Sequence, residues 1–451
     1  MASSPTGMFH EVPIEDLFFS TTDDKGIIDE ANEVFARNAR YSREELLGAP
    51  HNIIRHPDMP GAIFKATWDL LADGHPVCAY VKNLAKDGST YWAFATIVPI
   101  AGRFLSVRAT PCDLAARDLF ESLYDTVRAA ERTARERGAG AREAAEIGGD
   151  VLRQALADNG FASYTDLQLD LVPVEVAARE RLCPPLPDVP DGSKTARKIL
   201  EQVTDARSRL GSFAADIAQS LTLADALGRD LRRLRTALAA LGSGVEAVAR
   251  SATGMPPSPD TAGGSAGSGG AGAVALVPVI RSQLHGLSDG VSKAADELGG
   301  VVQVRKQLAL SSAIARMQAE AIGRYVVAVE AGTEDPRVSE RALSSLTTAL
   351  LAILDTDLQA DKAATADYVA RVDTLSAQVH GASETTSTWR GLVGPAEHDT
   401  LLALDVALGA VADQMRRVQE AVGAVSATNA ALDRDALATV LDRIVTLAAK
   451  V

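Results

Sequence analysis

The stretch PVCAYVKNLAKDGSTYWAFATIVPIAGRFLSVRAT, Pro76–Thr110, decides the fold of the first part of this 451-residue chain. Pro76–Asn83, Tyr91–Ile100 and Phe104–Thr110 read as strands, and Asp87-Gly88 between the first two is a hairpin signal. Upstream, Leu17–Thr21 and Gly26–Asp29 read as two further strands separated by a polar turn. Short helices lie between the two sets. Asn32 opens one, Ser42 with Glu45 forms a capping box at a second, and Ala62–Asp73 is amphipathic around Phe64, Trp68 and Leu71. Two strands, several helices and a three-strand meander predict an α+β domain whose antiparallel sheet carries helices on one face.

The aromatic residues cluster in this N-terminal quarter, whereas the rest cycles Ala, Leu and Val with Arg, Asp and Glu, as long helices do. With 45 basic against 59 acidic residues, the net charge of −14 argues against nucleic acid as the main partner. Cys78, Cys112 and Cys183 are far apart without CxxC spacing, which fits a reducing compartment and no structural zinc. No apolar run approaches the roughly 20 residues that span a bilayer, and MASSPTGMFHEVP lacks the pattern of a signal peptide. These features predict a cytoplasmic protein without a membrane span. No phosphate-binding glycine loop and no histidine in a plausible phosphoacceptor setting supports an enzyme, so none is expected.

Beyond residue 112 the sequence predicts an all-α coiled-coil or helical-bundle region. A helical connector over 113–186 ends in proline-rich CPPLPDVPDG, and 187–250 carries a heptad running from Val203 through Leu210, Ile217, Leu231 and Leu238 to Val248, with Ser220 its one polar position. That seam predicts a homodimer, although helices folding back within one chain would satisfy the same pattern. Residues 251–273 read as a flexible Gly/Ser/Pro linker, and 274–451 as a hairpin or bundle reversing at GTEDP, Gly332–Pro336. A last repeat, Leu404 to Leu432, includes Asn429, a seam amide of the kind that fixes register.

Two stretches carry resemblances. HNIIRHPDMP, His51–Pro60, with Lys82-Asn83 and Tyr91-Trp92, is similar to the PAS domain of bacterial aerotaxis receptors, so residues 1–112 are expected to be a PAS sensor domain. That resemblance implies a non-covalent FAD reporting redox state or oxygen. It also implies that Asn32, Arg55, His56, Asp58 and Asn83 contact the flavin or support its pocket. Haem is disfavoured, because the motif around His51 and His56 is the flavin type. Trp68 and Trp92 are expected in the core. Val77 stands where those receptors have tryptophan. Further on, Leu308–Arg324 resembles the hairpin tip of chemoreceptors, which implies the chemotaxis kinase and its adaptor as partners. Ala315 and Ala321 replace the glutamates usual there and the turn signal falls later, so weak or no engagement is expected. The functional expectation is an aerotaxis-receptor-like signal transducer. The alternative is a cofactor-free PAS and coiled-coil dimerisation scaffold.

Overall fold

Five strands, β1 (Leu17–Thr22), β2 (Ile28–Ala31), β3 (Val77–Leu84), β4 (Thr90–Ile100) and β5 (Arg103–Ala109), form an antiparallel sheet in the order β2-β1-β5-β4-β3. The computed structural model describes residues 4–189, 193–254, 267–335, 339–393, 398–427 and 433–448. The β3–β4 hairpin turns at Asp87-Gly88, as the sequence predicts. Gly88 has φ +82°, and a Cβ there would stand 2.4 Å from the Ser4 carbonyl oxygen. Both conformation and space therefore demand glycine.

Between β2 and β3 lie α1 (Glu33–Ala39), α2 (Arg43–Leu46) and α3 (Gly61–Ala72). Asn32 caps α1, and Ser42 with Glu45 makes the expected capping box on α2. Strand alternation turns Ala79, Val81 and Asn83 of β3, Ala95 and Ile97 of β4, and Ser106 and Arg108 of β5 toward these helices.

The other sheet face is also covered, which is why β1 is buried at every position. Its cover comes from α4 (Leu114–Glu136), α6 (Tyr164–Leu182) and the end of α8 (Gly267–Glu330). The Tyr80 hydroxyl donates to Glu175 Oε2 at 2.7 Å, the Tyr124 hydroxyl to the Tyr80 carbonyl at 2.8 Å, and the Tyr164 hydroxyl to the Cys78 carbonyl at 3.0 Å. Phe19 meets Tyr325 edge-on, ring centroids 5.5 Å apart. The outward face is largely apolar, through Phe19, Phe94, Val98, Leu105 and Val107, and the tyrosine hydroxyls at its contact with the helices are satisfied by those bonds.

Helices beyond the sheet also cap helices inside it. Glu131 of α4 accepts the Gly61 and Ala62 N–H groups at 2.9 and 2.8 Å, beside Gly148 of α5 (Ala141–Asp158). Glu334 accepts the Glu33 N–H at 2.9 Å and the Val34 N–H at 3.4 Å. Burial, reinforced by the Glu33 charge, pushes Glu334 up to about 7 despite those bonds. A raised folded-state value stabilises the fold below the ordinary glutamate value and loses that contribution as pH rises to about 7. The expected loss is on the order of 1–3 kcal/mol. Thermal melts from pH 4.5 to 7.5 should show it, and Glu334→Gln should flatten the profile there. Parallel profiles for both proteins would refute the assignment.

The chain forms two compact units, one from Met1–Ala215, Lys306–Leu358 and Leu432–Val451, the other from Asp216–Arg305 and Gln359–Ala431. The first also holds α11 (Arg434–Ala448), which buries Leu437, Leu441 and Ile444. Within this unit α8 continues past the receptor-like segment to Glu330, then closes with Gly332 at φ +70°. Thr333 N–H bonds the Ala328 carbonyl at 2.9 Å and Gly332 N–H the Val329 carbonyl at 3.0 Å, a Schellman ending. The reversal thus begins at the predicted GTEDP signal, whose Pro336 lies outside the described residues. α9 (Ser339–Leu392) returns antiparallel: Gln307 and Ser311 both bond Asp357, and Val326 and Leu343 line one small cavity.

Leu310–Gly323 is buried at every position, a helix enclosed all round. Glu320 accepts Arg179 Nε and Nη2, both at 3.0 Å, and Arg324 Nε at 3.0 Å, while Arg316 pairs with Glu180. The segment that resembles a chemoreceptor tip is core, not a presented surface.

In the second unit, parts of α7 (Lys194–Gly254), α8, α9 and α10 (His398–Ala427) bury a shared core including Leu231, Leu234, Val291, Leu375 and Val411. Ser220, the polar seam position, bonds Arg305, which also reaches Asp361 at 3.0 Å and Thr365 at 3.1 Å. Of the two pairings that the heptad allows, this arrangement is the one within the chain. Val203 packs beside Gly323 in the first unit and Ala224–Val248 contribute to the core of the second, so the chain's own helices fill the stripe. Periodicity defines an apolar stripe but not which helix covers it. Part of the linker expected over 251–273 is helical instead, at 251–254 and 267–273. Gly267–Ala273 belong to α8, where the Ala273 carbonyl accepts Trp389 Nε1–H at 3.0 Å. Residues 255–266 and Asn429 lie outside the described residues.

Candidate functional site

Between α3 and the sheet lies a cavity of about 140 Å³. Its apolar wall includes Ile54, Ile63, Leu71, Val81 and Ile97. Trp68 lies on the rim, 41% exposed and edge-on to Phe104 at 5.4 Å. This corrects its expected core position: α3 packs through Ala62, Ile63, Thr67 and Leu71, which leaves Trp68 on the open side. Trp92 does not line the cavity.

The polar wall is where the chemistry lies. Asn83 Nδ2, Ser106 Oγ and Arg108 Nη1 line this cavity and are buried without a hydrogen-bond partner. Orphaned buried donors are costly, on the order of 1–3 kcal/mol each, and uncommon in native folds. Arg108 is 3% exposed. Its Nη2 donates to Ser20 Oγ at 3.2 Å and to His51 Nε2, and its guanidinium lies 5.0 Å from the Phe35 centroid. Burial lowers Arg108 to about 10, so it keeps its charge at neutral pH. Burial, with the Arg108 charge second, holds His51 well below the ordinary histidine value, as a neutral acceptor.

Of the five residues singled out by resemblance, the fold brings Arg55 and Asn83 together. They form an isolated antiparallel bridge, and both line the cavity. Arg55 is exposed, stacks 4.0 Å over the Phe64 ring and donates Nη2–H to the Met59 carbonyl at 2.9 Å. The other three do not line the cavity. Asn32 Oδ1 accepts the Phe19 N–H at 3.1 Å and the Phe35 N–H at 3.2 Å, tying β1 to α1. His56 is buried, with Nδ1 accepting the Asp58 N–H at 3.1 Å and Nε2 against Thr90 Oγ1 at 3.2 Å. The Asp58 side chain is 62% exposed. Val77 is fully buried and is not among the lining residues. Cys78 is buried in the core, with a thiol that burial drives strongly upward.

Ser106 and Arg108 escape a reading of sequence. Along Phe104–Ala109, polar Ser106 and Arg108 alternate with apolar Leu105, Val107 and Ala109, the pattern of a strand with one wet face. Here the apparent wet face is a buried cavity wall.

The PAS fold family matches residues 28–110. The N-terminal domain is a PAS domain. The chain is 37% identical over 144 residues to the aerotaxis receptor of Escherichia coli strain K12, a match covering 30% of this chain and 28% of that receptor. The PAS domain is also similar to solved light-oxygen-voltage domains. One, studied with a flavin analogue, is 21% identical, covering 24% of this chain and 86% of that one, with a TM-score of 0.22. Another, the LOV protein of Rhodobacter sphaeroides, is 15% identical, covering 31% and 86%, with a TM-score of 0.21. Among the described residues no helix is long and apolar enough to cross a membrane, and no cluster of metal-ligating side chains occurs.

Proposed function

We propose that the PAS cavity binds a flavin, FAD by analogy with the aerotaxis receptor, and that the protein is a cytoplasmic redox or oxygen sensor. The observation that carries this reading is the set of orphaned polar atoms on the cavity wall. Asn83 Nδ2 and Arg108 Nη1 are donors suited to ring carbonyls, and Ser106 can donate or accept. Arg55 and Trp68 on the open side suit a phosphate and an aromatic face. A bound flavin supplies reversible two-electron chemistry. The cofactor-free scaffold leaves three buried polar groups unsatisfied. Haem finds little support, since His51 Nε2 is engaged by Arg108 and His56 does not line the cavity. The three free cysteines suit a reducing compartment.

The relay proposed here stays within the first compact unit. Asn83 and Arg108 lie on strands whose alternate residues face the outer helices. A change in their hydrogen bonding shifts β3 and β5, and through Tyr80 and Phe19 reaches α6 and the end of α8. With Leu310–Gly323 enclosed, contact with a chemotaxis kinase or adaptor would need another surface. Titration with FAD tests the site. Asn83→Ala and Arg55→Ala should each weaken binding roughly tenfold to a hundredfold, from bonds worth about 1.5–3 kcal/mol. Asp58→Asn should change it little. Equal affinity in all four proteins would sink the assignment.

A further inference from the structure

Arg108 is a buried cation with neutral company. Its neighbours include the Ser20 hydroxyl, the His51 imidazole, the neutral Tyr91 phenol and the rings of Phe35 and Phe18, and among the described residues no carboxylate pairs with it. A guanidinium enclosed without an anion is costly, and the usual resolution is a bound negative charge. Nη1 has no protein partner and lines the cavity, so the missing anion belongs to the ligand. Neutral His51 holds Nη2 and so aims the opposite edge of the guanidinium.

We propose that Arg108 makes this cavity selective for the reduced, negatively charged state of its flavin, raising the midpoint potential above that of free flavin. The inference rests on the flavin reading. The oxidised ring is neutral. Two electrons from a donor such as dithionite, with one proton taken at N5, give a reduced ring bearing one negative charge delocalised over N1 and the C2 carbonyl. A fixed buried cation binds that state more tightly than the neutral one, and the preference is not matched by nearby carboxylates. By the thermodynamic cycle, the logarithm of the ratio of the two affinities sets the shift in potential. Arg108 is therefore a specificity-determining residue, not merely part of the wall.

The experiment is spectroelectrochemistry of the full chain loaded with FAD, beside free FAD in the same buffer. The wild type should bind reduced FAD at least tenfold more tightly than oxidised FAD, a midpoint at least about 30 mV above free FAD for a two-electron couple. Arg108→Lys, which keeps the charge, should retain most of the shift, and Arg108→Gln should abolish it. A wild-type midpoint at or below that of free FAD overturns the proposal without recourse to any variant, so a misfolded Arg108→Gln does not shield it. A raised midpoint that Arg108→Gln leaves in place also overturns it. Failure of the chain to bind FAD in either state instead overturns the flavin reading beneath it.

Discussion

Glu320→Ala is expected to destabilise the first compact unit by about 3–5 kcal/mol, the cost of leaving a buried guanidinium without its anion. Arg179 and Glu320 are 1% and 4% exposed, and their bidentate contact is joined by Arg324. Burial by itself raises the Glu320 carboxyl, but the two arginines outweigh it and hold the group below its ordinary value. The pair's contribution is therefore present near neutral pH and fades as pH falls through that depressed value. Adding Arg179→Met to a Glu320→Leu background should recover most of the loss, because an apolar pair of similar volume avoids the desolvation cost. Denaturant midpoints across the four proteins of this double-mutant cycle provide the check. A single substitution costing less than about 1 kcal/mol would mean that the helices close over this pair without depending on it.

The second large effect is expected at Leu231. It is fully buried in the bundle core of the second unit, so Leu231→Glu must bury a carboxylate or open the bundle. Either course should cost about 4 kcal/mol or more and unfold this unit. Because that seam is filled within one chain, sedimentation of the wild type should give no dimer that depends on it. A variant that keeps its helicity while a wild-type dimer dissociates would restore the intermolecular coiled coil.

Much of this architecture is legible in sequence, and the failures share a physical cause. Local chemistry is reliable: the Ser42–Glu45 box, the Asp87-Gly88 hairpin and the helix end at Gly332 depend on a few neighbouring residues. Periodicity is reliable as to burial, since Leu210, Leu231, Leu298 and Leu404 are all interior. Pairing between distant segments is where the reading runs out. Nothing in the Val203–Val248 heptad says that its partners lie further along the same chain. Nothing in Leu308–Arg324 says that its polar residues will be met by Arg179 and Glu180. The site divides the same way. Arg55 and Asn83 reach the cavity because a contiguous motif and a strand position carry them there. Ser106 and Arg108 were hidden, because a buried polar wall and a solvent-facing one share the same alternation. Asn32 and His56 are buried for a different task, holding α1 and the loop before α3 in register.

The most direct test of the account is the visible absorption spectrum of the purified full chain, before and after incubation with FAD and gel filtration. A flavin held by Asn83, Ser106 and Arg108 predicts a structured band near the flavin maximum that travels with the protein at close to one equivalent per chain. A colourless protein that leaves the spectra of added FAD and FMN unchanged, and emerges from the column without either, would contradict it.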